Sequence, residues 1–77
     1  MKKIEEFDLV VLTKDLPNNG LRKGDVGTVV DIHQNGAGFT VEFMTLDGQT
    51  VAVLTLFASQ IRAIEKGEMS HSRPIAA

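Results

Sequence analysis

Val26-Gly27-Thr28-Val29-Val30-Asp31-Ile32-His33, then Gln34-Asn35-Gly36-Ala37-Gly38, then Phe39-Thr40-Val41-Glu42-Phe43-Met44: this stretch decides the fold. Its first part is rich in β-branched residues and too short for a stable helix, so it reads as a strand. Its middle carries Asn35-Gly36, a strong hairpin signal, because both residues tolerate positive φ. Its last part alternates cleanly. Phe39, Val41 and Phe43 point to one face, and Thr40 and Glu42 to the other. Two antiparallel strands with one apolar face need further strands to bury it.

Those strands lie on both sides. Downstream, Asp47-Gly48 marks a tight turn and Thr50-Val51-Ala52-Val53-Leu54-Thr55-Leu56 reads as a strand. Phe57-Ala58-Ser59-Gln60 has the look of one helical turn, and Ile61-Arg62-Ala63-Ile64 that of a short closing strand. Upstream, Phe7-Asp8-Leu9-Val10-Val11-Leu12-Thr13 is another strand. A long loop from Lys14 to Asp25 follows it, with Pro17 and Asn19-Gly20 supplying turn chemistry and Leu16 and Leu21 as apolar anchors. Gly24 supplies a positive φ in the second turn. The spacing predicts an all-β domain over residues 1–64: a small five-stranded SH3-like barrel with a long first loop and a short helical turn before the last strand. The expected core is Leu9, Val11, Val26, Val29, Ile32, Val41, Phe43, Val53, Leu56 and Ile61. Residues 65–77 are polar and without period, and are expected to form a flexible tail.

Composition narrows the function classes. The chain has 77 residues, enough for one domain. Hydrophobic residues at 43% and charged residues at 23% are ordinary for a globular domain. Cysteine is absent, which removes disulfides, cysteine-based zinc sites and thiol catalysis. A net charge of −2 argues against a dedicated DNA binder. The start, Met1-Lys2-Lys3-Ile4-Glu5-Glu6, lacks the apolar run of a signal peptide, and no stretch is long and apolar enough for a membrane helix. A cytoplasmic location is the expectation. A domain this small buries only about 60–65% of its unfolded surface, so self-association is a natural source of further burial.

Leu21-Arg22-Lys23-Gly24-Asp25-Val26-Gly27-Thr28-Val29-Val30 resembles the KOW-type opening of small SH3-like barrels, a turn glycine followed by Val-Gly-x-Val entering a strand. Gly27 fits a place where a neighbouring group approaches the strand closely, or where the barrel bends. A wider likeness takes in Asp8-x-Val10-Val11-Leu12-Thr13-Lys14-Asp15-Leu16-Pro17, Gly20-Leu21, Val41-Glu42-Phe43, Asp47-Gly48 and Leu54-Thr55-Leu56. On these residues the chain is similar, over about 7–64, to an uncharacterised bacterial family of small SH3-like proteins described only as a domain of unknown function. That resemblance implies a fold and carries no catalytic residues with it.

Catalytic constellations are thin. His33 stands two residues from Asp31, on the same strand face, without the third partner of a triad. His71 lies in the tail. Carboxylates fall at the termini and in turns, where solvated or turn-forming acids belong. Gly20-x-x-x-Gly24-x-x-Gly27 joins two strands and lacks the helix of a phosphate loop. No metal and no cofactor is expected, and the chain reads as a non-enzyme.

The informative oddity is apolar character on both faces of two strands, Leu9–Leu12 and Val51–Phe57, where a half-buried strand alternates. One face fills the core. The other either packs under the long loop or meets a partner. Both faces of the strand at 50–56 fit the pattern equally. The candidate partner-binding set is therefore Leu16, Leu21, Met44, Val51, Val53 and Leu54, in a protein-interaction module with an unidentified protein partner or a second copy of the chain. The alternative is a KOW-like nucleic-acid module using Lys14, Arg22, Lys23 and Arg62, against which stands the interleaving of Asp15 and Asp25. The four phenylalanines read as core rather than as stacking platforms. A third reading is a small accessory subunit of a larger enzyme complex.

Overall fold

A computed structural model describes residues 3–75 of the chain; Met1, Lys2 and the last two alanines lie outside the described residues. The described residues form five strands: β1 (Leu9–Leu12), β2 (Val26–His33), β3 (Gly38–Met44), β4 (Thr50–Phe57) and β5 (Ile61–Ala63). Their elements agree with the sequence reading to within a few residues. All pairings are antiparallel, in the order β4-β3-β2-β1-β5. Among the described residues the only helical elements are three 3-10 turns, at Pro17–Asn19, Gln34–Gly36 and Ala58–Gln60.

The sheet has to curl. β4 and β5 are its two edges, and four inter-strand steps of a flat sheet would separate them by about 19 Å. Only Ala58–Gln60 join them, a link that reaches at most about 14 Å. The edges are thus drawn toward each other and the concave side encloses the core. Val10, Leu12, Leu21, Val29, Phe39, Val41, Phe43, Leu56 and Ile61 form that core. Two irregularities in pairing, at Val30 between β2 and β3 and at Val51 between β3 and β4, accompany the bend.

Gly27 shows how tight the interior is. It faces inward opposite Val10. A Cβ placed on it would lie 2.5 Å from Val41 Cγ1 and 2.9 Å from Phe43 Cε1. Close approach of side chains from β3 therefore requires glycine there. Gly24, at φ 95°, adopts the left-handed turn geometry read from the sequence.

Several core expectations need correction. On β1 the inward pair is Val10 and Leu12, and Leu9 is 54% exposed. On β4 the inward residues are Ala52, Leu54 and Leu56, opposite Phe43, Val41 and Phe39. Val53 faces out and is 54% exposed. Val26 and Ile32 are half-buried. The physical reason is shared: a run apolar at every position has no internal phase, and a one-residue change exchanges its faces. Of the phenylalanines, Phe39 and Phe43 are core, while Phe7 and Phe57 are exposed.

Candidate functional site

The structure divides the expected partner-binding set in two. Leu16 and Leu21 close the long loop on itself through a β-bridge, and Leu21 is 3% exposed. Leu54 points into the core and Val51 packs against it from the irregularity in β4. These four are packing residues. Val53 and Met44 remain exposed. Phe57, further along the outward side of β4, is 73% exposed, and Leu46 stands out from the β3–β4 turn. Phe57 escaped the sequence reading because aromatics in a small chain default to the core; its place as the last residue before a turn was the available signal.

The outward side of the sheet is polar in its middle. Leu9, Thr28, Glu42 and Val53 line up across four strands, as do Asp31, Thr40 and Thr55 across three. Thr50 donates its hydroxyl to Glu42 at 2.8 Å. His33 Nε2 lies 2.7 Å from Thr40 Oγ1 and 3.9 Å from Asp31 Oδ2. Both neighbours meet the same ring nitrogen, so Asp31 cannot orient the imidazole from the far side as a triad carboxylate does.

Basic residues of the alternative set are interleaved with acids. Lys14, Arg22 and Lys23 are exposed on the long loop. The backbone amide of Arg22 donates to Asp25 at 2.8 Å, and that of Lys23 to Asp15 at 2.8 Å. Two carboxylates thus sit inside the basic cluster. Arg62, on β5, faces outward and makes a two-pronged pair with Glu68, at 2.8 and 2.6 Å. The Arg62 guanidinium, with help from the Glu65 amide, holds the Glu68 carboxyl down at about 2.

Among the described residues, the segment after Ala63 has no helix or strand, in keeping with its composition, yet it is anchored. Arg73 donates from Nε and Nη2 to the Asp25 carboxylate, at 2.9 and 2.5 Å, and from Nη2 to the Gly20 carbonyl at 3.0 Å. Both side chains of this pair are 13% exposed. Burial pushes the Asp25 carboxyl up, but the Arg73 hydrogen bonds, the Arg22 amide and the charge of Arg73 outweigh it and hold it below its ordinary value. The tail thereby crosses the outward side of β1. Val11, whose register opposite Val26 and Arg62 aims it outward, is only 6% exposed. A cleft of about 440 Å³ persists under the tail, between Val11, Val26 and Ile64 below and Met69 to His71 above. A second cleft of about 840 Å³ opens at the end of the barrel, lined by Ile4, Ile32, Phe39, Ile61 and Ile64 with Lys3 and Glu65 on its rim.

A family model, Domain of unknown function (DUF4926), matches residues 6–63. The chain belongs to this family. The DUF4926 span begins just before β1 and ends with β5, so it takes in the whole sheet and the long loop, and stops short of Ile64, Glu68 and Arg73. No curated protein and no solved structure gives a match. Among the described residues, no helix is long and apolar enough to cross a membrane.

Proposed function

We propose that this DUF4926 domain is a non-enzymatic protein-interaction module that receives an extended segment of a partner protein alongside β4. The observation that carries this reading is the edge itself. β4 is eight residues long and, among the described residues, pairs with β3 alone. Its sequence, Thr50-Val51-Ala52-Val53-Leu54-Thr55-Leu56-Phe57, contains no charged residue and no proline. Monomeric proteins blunt such edges with lysine, proline or a covering segment, because a row of unpaired N–H and C=O groups invites another strand. Added strands gain affinity from main-chain hydrogen bonds and specificity from alternate side chains. Here Val53 and Phe57 supply the alternate contacts on the outward side.

The strand order, the long loop and the turn before β5 support the SH3-like reading of the barrel, and the cytoplasm is its proposed place of work. The nucleic-acid alternative is less well supported, since Asp15, Asp25 and Glu68 occupy the neighbourhood of its bases and the exposed Phe7 is flanked by Glu5, Glu6 and Asp8. Tagged chain retrieved from its native cell at low and moderate salt, with and without nuclease, tests the class of partner. Recovery of the same protein at both salts, insensitive to nuclease, is expected. Recovery of nucleic acid that vanishes with salt would contradict the reading, because counterion release makes such binding fall steeply with ionic strength.

A further inference from the structure

We propose that the outward side of β1 and β5, together with the Gly20–Asp25 turn, is a second docking groove, built for an extended peptide and occupied in this chain by its own segment Glu68–Arg73. It lies on a different part of the sheet from β4 and does not depend on the reading of that edge.

The groove has a floor and two charged ends. The floor is apolar: Val11 and Val26 aim outward by register, with Ile64 beside them. At one end the Arg62 guanidinium presents a fork that takes a carboxylate by two parallel bonds. At the other end the Asp25 carboxylate and the Gly20 carbonyl together take a guanidinium. Glu68 and Arg73 satisfy both ends, five residues apart, a span of at most about 17 Å of extended chain. The Asp25 end is enclosed, with both partners of the pair 13% exposed.

The occupant fits the ends better than the middle. Met69 is 92% exposed, and about 440 Å³ of cleft remains under Met69 to His71. The Arg62–Glu68 pair, 40% and 30% exposed, is the weaker of the two attachments. Charge fixes the strap while its middle leaves the apolar floor part-filled. The family match covers Val11 and Val26 of the floor and both charged ends, Asp25 and Arg62, but not the two residues that occupy those ends. The partner chemistry follows from these ends: an extended peptide with a carboxylate, an arginine five residues later, and larger apolar side chains between them. Such a peptide displaces the strap by filling the cleft.

A fluorescent synthetic peptide copying residues 65–75 is the probe, titrated by anisotropy against three full-length chains. The wild type, with its strap in place, should bind it weakly. A strap-released chain, Glu68→Lys with Arg73→Glu, leaves the groove intact and should bind it about tenfold more tightly or better, since the tethered competitor is gone. Adding Arg62→Glu to the released chain should abolish that gain. Circular dichroism establishes that each chain is folded, and the single variant Arg73→Gln serves if the double one is not. Equal binding by wild-type and released chains, or binding by neither, overturns the proposal. Adding Val53→Lys to the released chain should leave peptide binding unchanged, which separates this groove from the β4 edge.

Discussion

β1 and β4 look alike in the sequence and end in different circumstances. Leu9-Val10-Val11-Leu12 and Val51–Phe57 are both apolar on both faces. β1 sits between β2 and β5, with its backbone paired on two sides and its outward Val11 under the tail. β4 is paired on one side, and its outward Val53 and Phe57 meet solvent. Two-sided apolar character therefore means one thing where the chain supplies a cover and another where it does not. Residues distant in sequence, Asp25, Arg62, Glu68 and Arg73, make the difference.

Matched substitutions break the comparison most sharply. Val11→Lys places an ammonium group beside Arg62 beneath the strap, and should cost more than about 2 kcal/mol, as burying an unpaired charge does. In a domain this small that approaches the whole margin of stability, so urea unfolding should show a largely unfolded chain. An unchanged midpoint would mean that the tail does not cover β1. Gly27→Ala tests the packing behind both strands. It forces Val41 and Phe43 aside and should cost about 1–3 kcal/mol, read as a lowered melting temperature.

Smaller effects sharpen the contrast. Arg73→Gln should leave the barrel folded and make the chain after Ala63 more readily cleaved in limited proteolysis. Acid should do the same. The Glu68 carboxyl, held from 4.5 down to about 2 by Arg62, contributes to strap attachment in full above its ordinary value and loses that contribution as the pH falls toward 2. Asp25, also held low, acts in the same direction. Heteronuclear relaxation of Glu68–Arg73 should thus be constant above pH 4.5 and show increasing mobility below it. Val53→Lys should shift stability by no more than about 0.5 kcal/mol, as surface changes do.

The sequence made the strands legible because turn chemistry punctuates them: Gly24-Asp25, Asn35-Gly36 and Asp47-Gly48 each fall between runs of the right length. β3 was legible to the side chain, since Thr40 and Glu42 fix its phase. β1 and β4 carry no such marker, and their faces are set by partners several strands away. The tail's anchoring was hidden for a related reason. An ion pair between Asp25 and Arg73 spans 48 positions, and nothing in the local composition of residues 65–77 announces it. Leu16 and Leu21 were visible as apolar residues in a loop, but only their bridge shows that they pack against the core.

Capture from native lysate at moderate salt with nuclease, run side by side for wild type, Val53→Lys and the charge reversal Arg22→Glu with Lys23→Glu, bears most directly on the β4 edge. A protein retained by wild type and by the charge-reversed chain, and lost by Val53→Lys while that chain stays folded, is the expected result. Retention by Val53→Lys with loss on charge reversal would contradict it, and would place the working surface on the basic loop instead.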